Sequence, residues 1–314
     1  MQDHPETFEC FHERAFDVYE RGMNATLRMK WRSISPWIVP ARPGEDGMII
    51  DEGCGTGKFL SLLARSFPKA GVMGRDISTH FLEKSREAIA NLPYASVIRA
   101  DIAHDNLAPS SVTTKIYSSV WHELYSYNAY NEKILRRALN TAFWELRPGG
   151  RIIIRDGVRP ELERVGLWLS SQNRVLHNHG NAETFNPRSL FFKFAKDFGK
   201  IRAVPYHITE TPDGKDWMFV VSQDNAYEFL MKKDYRENWE GEVKEVYGVW
   251  TAAQYRENLE AAGFQVLCVK PFRNEWIVKN RLEPEARLYR FSTHGKPVVT
   301  SFPHTNILVI GEKP

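Results

Sequence analysis

Between Met48 and Gly57 the chain reads MIIDEGCGTG, an apolar run that ends in two acids and passes into a turn with three glycines. Glycine lets the backbone turn tightly and lets backbone N–H groups approach a ligand closely. A strand that passes through such a turn into a helix is typical of nucleotide pockets in α/β proteins. By itself the motif is a weak signal, because an ordinary tight connection between a strand and a helix has the same residues.

Downstream of this turn, strand-like and helix-like patterns alternate along the chain. The patterns predict strands over Ile49–Asp51, Gly71–Asp76, Ser96–Asp101, Thr114–Val120, Gly150–Asp156, Gln265–Pro271 and Asn306–Gly311. They predict helices over Lys58–Ser66, Thr79–Asn91, Glu132–Leu146 and Ala252–Ala262. Strands that alternate with helices form a parallel sheet with helices on both faces. The predicted fold is therefore α/β, a doubly wound, mostly parallel, seven-stranded Rossmann-like sheet with N-terminal helices and a large insertion before the last helix-strand-strand unit.

The predicted domain boundaries lie where this alternation breaks. Residues 1–44 form an N-terminal helical cover, residues 45–158 and 251–314 form the core, and residues 159–250 form an aromatic and charged insertion. An insertion after the fifth strand emerges at the carboxyl edge of the sheet, where ligands bind, so we expect a lid or substrate subdomain. A dimerisation surface is the alternative. Within the insertion, the turn Pro212-Asp213-Gly214 predicts an exposed hairpin or loop.

Composition limits the class of protein. The 314 residues are 42% hydrophobic, which is enough for a full core, and no apolar run reaches about 18 residues. The N-terminus is polar, so we expect a cytoplasmic protein without a membrane span or secretory signal. The 42 basic and 39 acidic residues give a net charge of +3, which is too balanced to indicate a nucleic-acid-binding protein without excluding one.

Cysteine and histidine usage predicts neither disulfides nor a metal site. Cys10, Cys54 and Cys268 are far apart and form no CxxC pair, so we expect reduced thiols. His177 and His179 form an HxH pair, but no cysteine or acid stands at a suitable spacing, so a solvated loop is the favoured interpretation.

Two acids make the glycine turn more specific. Asp76 ends the second predicted strand 19 residues after Gly57, where a carboxylate meets the two hydroxyls of a ribose. Asp101 ends the third strand in IRADI, where a carboxylate can accept a hydrogen bond from the exocyclic amine of adenine. The spacing GxGxG differs from the GxGxxG of dinucleotide sites, which argues against a dehydrogenase.

The order DEGCGTG, GRDIS, IRADI, IYSSVWHELY and LRPGGRIIIRD resembles the class I S-adenosylmethionine-dependent methyltransferases over about residues 45–157. The later segments LEAAGFQVLCV and HTNILVIGEKP resemble the end of that fold more weakly. The resemblance implies S-adenosyl-L-methionine as cofactor and S-adenosyl-L-homocysteine as product. The cofactor-binding residues that it implies are Asp51, Gly53, Cys54, Gly55, Gly57, Asp76, Ile77, Asp101, Ile102, Ser119 and Trp121.

In this resemblance the glycines face the amino-acid part of the cofactor, and Asp51 holds the turn or the amino group. Asp76 binds the ribose, Asp101 with Ile102 binds the adenine, and the segment from Ser119 lies beside the methyl group. Two positions depart from the family pattern. Glu52 stands where an apolar residue is usual, and Arg75 stands where a small apolar residue is common.

Methyl transfer requires a nucleophile aligned with the methyl group, and a general base helps when that nucleophile is a hydroxyl. His122 and Tyr125, in WHELYSY, are the catalytic candidates, because the family often has a functional histidine at the position of His122 and imidazole titrates in the useful range. The alternatives are a helix-start histidine bonded to the backbone and a tyrosine that only packs. No metal is expected in this chemistry.

The sequence thus favours an O- or N-methyltransferase of a small-molecule acceptor. A methyltransferase of RNA or nucleotides is the alternative, and a non-catalytic S-adenosylmethionine-binding or scaffold protein is a third interpretation. A homodimer is left open.

Overall fold

A computed structural model describes residues 26–41, 47–104, 106–161, 163–172 and 186–314. The strands are β1 Met48–Glu52, β2 Gly71–Asp76, β3 Ala95–Arg99, β4 Val112–Ser118, β5 Leu146–Asp156, β6 Arg164–Leu169, β7 Tyr206–Glu210, β8 Trp217–Ser222, β9 Gln265–Phe272, β10 Ala286–Phe291, β11 Pro297–Thr300 and β12 Asn306–Glu312. The helices are α1 Leu27–Ile34, α2 Lys58–Ser66, α3 Thr79–Ile89, α4 Trp121–Ser126, α5 Glu132–Glu145, α6 Pro187–Asp197, α7 Gln223–Lys232, α8 Trp239–Glu242, α9 Ala252–Ala261 and α10 Glu275–Ile277. Cys10, His177, His179 and most of the predicted N-terminal cover lie outside the described residues.

The chain divides into two compact units. The first unit combines the described residues before Gly157 with Ala252–Lys270 and Ile307–Pro314, and the second combines Gly157–Thr251 with Pro271–Asn306. Residues 271–306 therefore differ from the sequence expectation, which assigned them to the core. The physical reason is strand pairing, because β10 lies in this segment and pairs with β6 of the second unit.

The first unit is built on a seven-stranded sheet with the order β3-β2-β1-β4-β5-β12-β9. The pairs β1–β2, β2–β3, β1–β4 and β4–β5 are parallel, and β12 runs antiparallel to β5. The predicted mostly parallel seven-stranded sheet is thereby confirmed. Ile49 and Ile50 of β1 are fully buried, as expected for a central strand covered on both faces.

Local signals determine where the helices of this unit begin. The Oγ of Ser78 accepts a hydrogen bond from the N–H of Phe81 and so caps α3. Asn131 caps α5 in the same way, because its Oδ1 accepts from the N–H of Lys133. On α2, Leu60 and Leu63 are fully buried, so this helix packs its apolar face on the sheet.

Four charged side chains form a buried ion cluster in the first unit: Glu52, Arg75, Lys115 and Glu145. Each is at most 1% exposed. Arg75 Nη1 donates to Glu52 Oε1 at 2.9 Å, Lys115 Nζ lies 3.0 Å from the same oxygen, and Lys115 also pairs with Glu145. The two departures from the family pattern, Glu52 and Arg75, therefore neutralise each other. Because side chains alternate across a strand, Glu52 and its neighbour Asp51 point to opposite faces of the sheet.

The second unit contains a five-stranded antiparallel sheet with the order β11-β10-β6-β8-β7. The hairpin or loop expected at Pro212-Asp213-Gly214 is the hairpin between β7 and β8, in which the N–H of Thr211 donates to the carbonyl of Asp216. The strands β6, β8, β10 and β11 were not predicted from the sequence. Whether this unit acts as a lid or a dimerisation surface stays a prediction.

Aromatic residues of the insertion form a core within the second unit. The rings of Phe191 and Phe219 lie 4.2 Å apart between centroids, and those of Phe191 and Phe229 lie 5.1 Å apart. All three side chains are fully buried. These aromatic residues stabilise the unit through apolar burial and ring contacts. None of the helices in the described ranges has the length and hydrophobicity that crossing a bilayer requires.

The buried ion cluster makes a prediction about stability. Lys115→Met removes the cation between two buried carboxylates, so we expect the free energy of unfolding to fall by about 3–5 kcal/mol. Urea denaturation at pH 7 measures this change. The matched control is Arg136→Met, which breaks the exposed pair with Glu132 and should cost no more than about 1 kcal/mol. Equal losses in the two variants would contradict the importance of the cluster.

Candidate functional site

A cavity opens at the carboxyl ends of β1 to β4, within the first unit. It encloses about 1140 Å³ including its open mouth. The predicted cofactor-binding residues that line it are Asp51, Gly53, Cys54, Gly55, Asp76, Ile77, Asp101, Ile102 and Ser119. The lining also includes residues outside that set, among them Leu27, Lys30, Phe59, Phe81, Glu123 and Tyr127.

The glycine turn needs glycine for conformation and for space. Gly53 and Gly57 have φ values of +65° and +73°, in the left-handed region that disfavours side chains. A Cβ on Gly53 would lie 2.6 Å from Cγ2 of Val120, and a Cβ on Gly57 would lie 2.7 Å from Cα of Ser85. The turn therefore packs directly against the end of β4 on one side and against α3 on the other.

Asp76 connects this turn to the second strand. Its Oδ2 accepts a hydrogen bond from the N–H of Gly55 at 2.8 Å, and its Oδ1 accepts from the N–H of Ser78 at 2.9 Å. Burial raises the pKa of the Asp76 carboxyl, and the backbone donors partly oppose that rise. The carboxylate thus holds the backbone of the turn while it lines the cavity.

Two buried oxygens in the cavity wall have no hydrogen-bond partner in the part of the chain that the structure describes. They are Oδ2 of Asp51, a residue that is 3% exposed, and Oγ of Ser118. Burial raises the pKa of Asp51 from 3.8 to about 7, with Lys30 opposing and with Glu52 and Asp76 adding to the rise. A buried polar atom without a partner costs free energy, so the wall is complementary to a polar ligand that can donate hydrogen bonds.

Cys54 and Asp101 contribute neutral and acidic parts of the same wall. Burial raises the pKa of the Cys54 thiol, so it stays protonated, and Cys54 and Cys268 are both free thiols. Oδ1 of Asp101 accepts from the N–H of Ala103 at 2.9 Å, and its Oδ2 lies 2.9 Å from Nδ1 of His104.

The end of β4 is strained where it meets the cavity. Ser119 has a φ of +62°, which is uncommon for a residue with a side chain, and its N–H donates to the carbonyl of Arg155 at 2.8 Å. Strain of this kind persists where the surrounding structure enforces it, often at functional sites. Helix α4 begins two residues later.

Asp156, at the end of β5, organises the start of α4. Its Oδ2 accepts from the N–H of Trp121 at 2.7 Å, and its Oδ1 lies 2.7 Å from Nδ1 of His122. The carboxylate therefore holds the imidazole ring and satisfies a free N–H at the helix start. The sequence analysis did not single out Asp156.

Four predicted site residues are not among those that line the cavity: Gly57, Trp121, His122 and Tyr125. Gly57 packs against α3, Trp121 is fully buried with its ring edge-on to Tyr117 at 5.2 Å, and the ring of Tyr125 contacts that of Tyr130. His122 is held by Asp156. The catalytic roles of His122 and Tyr125 stay predictions.

Lys30 and Leu27 were missed because no motif marks them. Both lie on α1, a short helix far from the glycine turn in sequence, and only the folded chain places them in the cavity wall. Phe59 and Phe81 follow the glycine turn and Asp76 at the starts of α2 and α3. A search for apolar residues in the first turn of each of these helices would have found them.

Comparison with known proteins identifies the family. Residues 49–150 match the family model described as a methyltransferase domain. A demethylmenaquinone methyltransferase of Desulfitobacterium hafniense is 26% identical over 167 residues, which are 52% of this chain and 63% of that protein. A trans-aconitate 2-methyltransferase of Paracidovorax citrulli is 33% identical over 106 residues, which are 34% of this chain and 37% of that protein.

A solved S-adenosylmethionine-dependent methyltransferase from Mesorhizobium loti is 18% identical with a TM-score of 0.47, covering 85% of this chain and 90% of its own. The chain spans between 54% and 63% of the length of three curated quinone methyltransferase relatives that it matches. The chain belongs to the class I S-adenosylmethionine-dependent methyltransferase family, and residues 49–150 are its matched domain.

The cofactor of this family is S-adenosylmethionine, an adenosine joined through a sulfonium to an amino-acid tail. The cavity fits such a group, because the unpartnered oxygens of Asp51 and Ser118 can accept hydrogen bonds from its polar atoms. Asp76 and Asp101 offer carboxylates at two strand ends, and Ile77 and Ile102 add apolar surface beside them. The acid-lined wall also suits a cation such as the sulfonium.

The packing of Gly53 predicts a stability difference between two glycine substitutions. Gly53→Ala adds a side chain at positive φ and a clash with Val120, whereas Gly149→Ala, at a φ of +73°, meets nothing within 4 Å. We expect Gly149→Ala to cost about 1–2 kcal/mol of unfolding free energy. Gly53→Ala should cost about 1–3 kcal/mol more, because it also overpacks the turn. Denaturant titration of both variants measures the difference, and equal values would show that Val120 yields freely.

The raised pKa of Asp51 predicts a pH dependence of stability. A carboxyl whose pKa is higher in the folded than in the unfolded chain stabilises the fold below pH 3.8, and that stabilisation is lost as the pH rises through about 7. Asp51→Asn cannot ionise, so its unfolding free energy should gain on that of the unaltered protein between pH 4 and pH 7. Urea denaturation across this range measures the gap. A gap that is constant with pH would contradict the shift.

Proposed function

We propose that this protein is an S-adenosylmethionine-dependent methyltransferase that transfers the methyl group to an oxygen or nitrogen of a small-molecule acceptor. The observation that carries the proposal is the cavity at the carboxyl ends of β1 to β4, with its glycine turn, three strand-end acids and unpartnered oxygens. Ligands of open α/β sheets bind at this edge.

In this proposal each strand end binds one part of the cofactor. Asp51 accepts from the ammonium of the amino-acid tail, and Gly53 and Gly55 let the backbone approach that tail closely. Asp76 binds the ribose hydroxyls, and Asp101 with Ile102 binds the adenine. The backbone donors already on Asp76 and Asp101 keep both carboxylates in one orientation, which reduces the entropy that binding costs.

Bound S-adenosylmethionine supplies an activated methyl group on a positively charged sulfur. The protein then has to align the acceptor and keep water away from the reacting atoms. Ser119 and the first turns of α4, which contribute Glu123 and Tyr127 to the cavity, are suited to this task. Two residues are candidates for taking a proton from the acceptor. His122 is oriented by Asp156, and Glu123 lies in the cavity wall.

A small-molecule acceptor is supported by the relatives, whose names specify demethylmenaquinone and trans-aconitate. Another relative is named a C-methyltransferase. A first acceptor screen therefore includes hydroxyl, amine and activated carbon compounds, and mass spectrometry detects the added methyl group. Retention of bulk RNA that weakens steeply with salt would instead favour a nucleic-acid acceptor.

Cofactor binding is tested by calorimetry with S-adenosylhomocysteine. Asp76→Asn should weaken binding about tenfold or more, because the ribose hydroxyls lose a charged acceptor and the turn loses one backbone contact. Glu87→Gln, which changes an acid outside the cavity wall on α3, is the control and should bind normally. A protein that binds neither S-adenosylmethionine nor S-adenosylhomocysteine would refute the proposal.

The proton acceptor is tested by turnover once an acceptor is found. If His122 is the base, His122→Asn should reduce kcat by at least about a hundredfold while the affinity for S-adenosylhomocysteine changes little. Glu123→Gln is the parallel variant. A large loss in Glu123→Gln with a normal rate in His122→Asn would assign the role to Glu123.

A further inference from the structure

Helix α1 presents two different faces. Leu27 and Lys30, three residues apart and therefore on one face, line the cavity, whereas Arg28 and Arg32 are exposed. Ile34 at the end of the helix is fully buried, which anchors it in the first unit. Lys30 is thus the basic residue of α1 that belongs to the cavity wall.

The charge of Lys30 is not used by the fold. Among the described residues, its ammonium forms no hydrogen bond or ion pair, although the side chain is only partly exposed. It lies in the electrostatic field of Asp51, Asp156 and Glu123, which attract it, and of Arg155, which repels it. Burial lowers the pKa of Lys30 from 10.5 to about 8, so the ammonium is still mostly charged at neutral pH.

The cavity wall therefore carries a cation and an anion that do not neutralise each other by contact. Asp51 has an oxygen without a hydrogen-bond partner, and no ion pair within 4.0 Å joins it to Lys30. An α-amino acid in its zwitterionic form has the complementary pair, an ammonium and a carboxylate on one carbon. Such a ligand would satisfy both protein groups at once, which makes the arrangement more favourable with the ligand than without it.

We propose that Lys30 binds the carboxylate of the methionine moiety of the cofactor, while Asp51 binds its ammonium. This inference rests on the proposed function, since it assigns the charged end of the same ligand. It makes Lys30 a binding residue contributed from outside residues 49–150, the part of the chain that matches the methyltransferase domain. The N-terminal helix would then take part in cofactor recognition and not only in covering the sheet.

The test compares three ligands that differ in their charged end. S-adenosylmethionine has both the carboxylate and the ammonium, decarboxylated S-adenosylmethionine keeps only the ammonium, and 5′-methylthioadenosine has neither. Calorimetry measures each dissociation constant for the unaltered protein and for Lys30→Met, Lys30→Arg, Asp51→Asn and Arg28→Met. Arg28→Met is the matched control, because it removes an exposed charge from the same helix.

Lys30→Met should weaken binding of S-adenosylmethionine about tenfold or more, in the range of a charge-assisted hydrogen bond. It should leave the other two ligands within about twofold. Lys30→Arg should restore much of the loss, and Arg28→Met should bind all three ligands normally. Asp51→Asn should weaken both ligands that have the ammonium and spare 5′-methylthioadenosine.

Three results would overturn the assignment. The first is equal loss of all ligands in Lys30→Met, which would indicate a structural role. The second is no loss of binding, and the third is a loss confined to turnover, which would place the lysine at the acceptor. In each of these cases the unaltered protein still binds S-adenosylmethionine, so the proposed function survives. Failure of the unaltered protein to bind any of the three ligands would refute both proposals.

Discussion

The carboxylate of Asp76 holds the functional edge of the sheet together. One oxygen accepts from the N–H of Gly55 in the turn after β1, and the other accepts from the N–H of Ser78 at the start of α3. These contacts join the ends of two neighbouring strands to the two helices that follow them. Because the backbone of the turn is held there, Gly53 packs against Val120 and brings the end of β4 to the same cavity. The cofactor edge is therefore rigid before any ligand binds.

A layer of buried charge lies in the same strands. Glu52 and Arg75 each stand one residue from a cavity acid, and they pair with each other and with Lys115 in the interior. Buried ion pairs contribute little net stability compared with apolar packing, but removing one partner is costly. The cluster therefore makes the register of β1, β2 and β4 sensitive to any change in its members. This sensitivity also protects the positions of Asp51 and Asp76, which are the neighbours of Glu52 and Arg75 in sequence.

The cavity itself is less well satisfied than the rest of the first unit. Asp51 has an oxygen without a partner in the described chain, and Lys30 has an ammonium without one. Groups like these lower the stability of the unliganded protein and raise the affinity for a ligand that pairs with them. The free energy that folding does not recover at this edge is available to binding.

The sequence by itself determined the sheet of the first unit and most of its cavity. The glycine turn, Asp76 and Asp101 are each adjacent in sequence to the strand that places them, and parallel strands bring their carboxyl ends to one edge. Local patterns therefore suffice for these residues. They also suffice for the caps at Ser78 and Asn131, which act on the next turn of chain.

The tertiary structure alone decided three features: the partner of each buried charge, the place of Lys30 and the pairing of β10 with β6. Glu52 meets Lys115 across 63 residues of chain, and Leu288 of β10 pairs with Leu167 of β6 across 121 residues. His122 is similarly held by Asp156, which lies 34 residues away. No local pattern encodes such contacts, because they depend on which surfaces meet when the whole chain is packed.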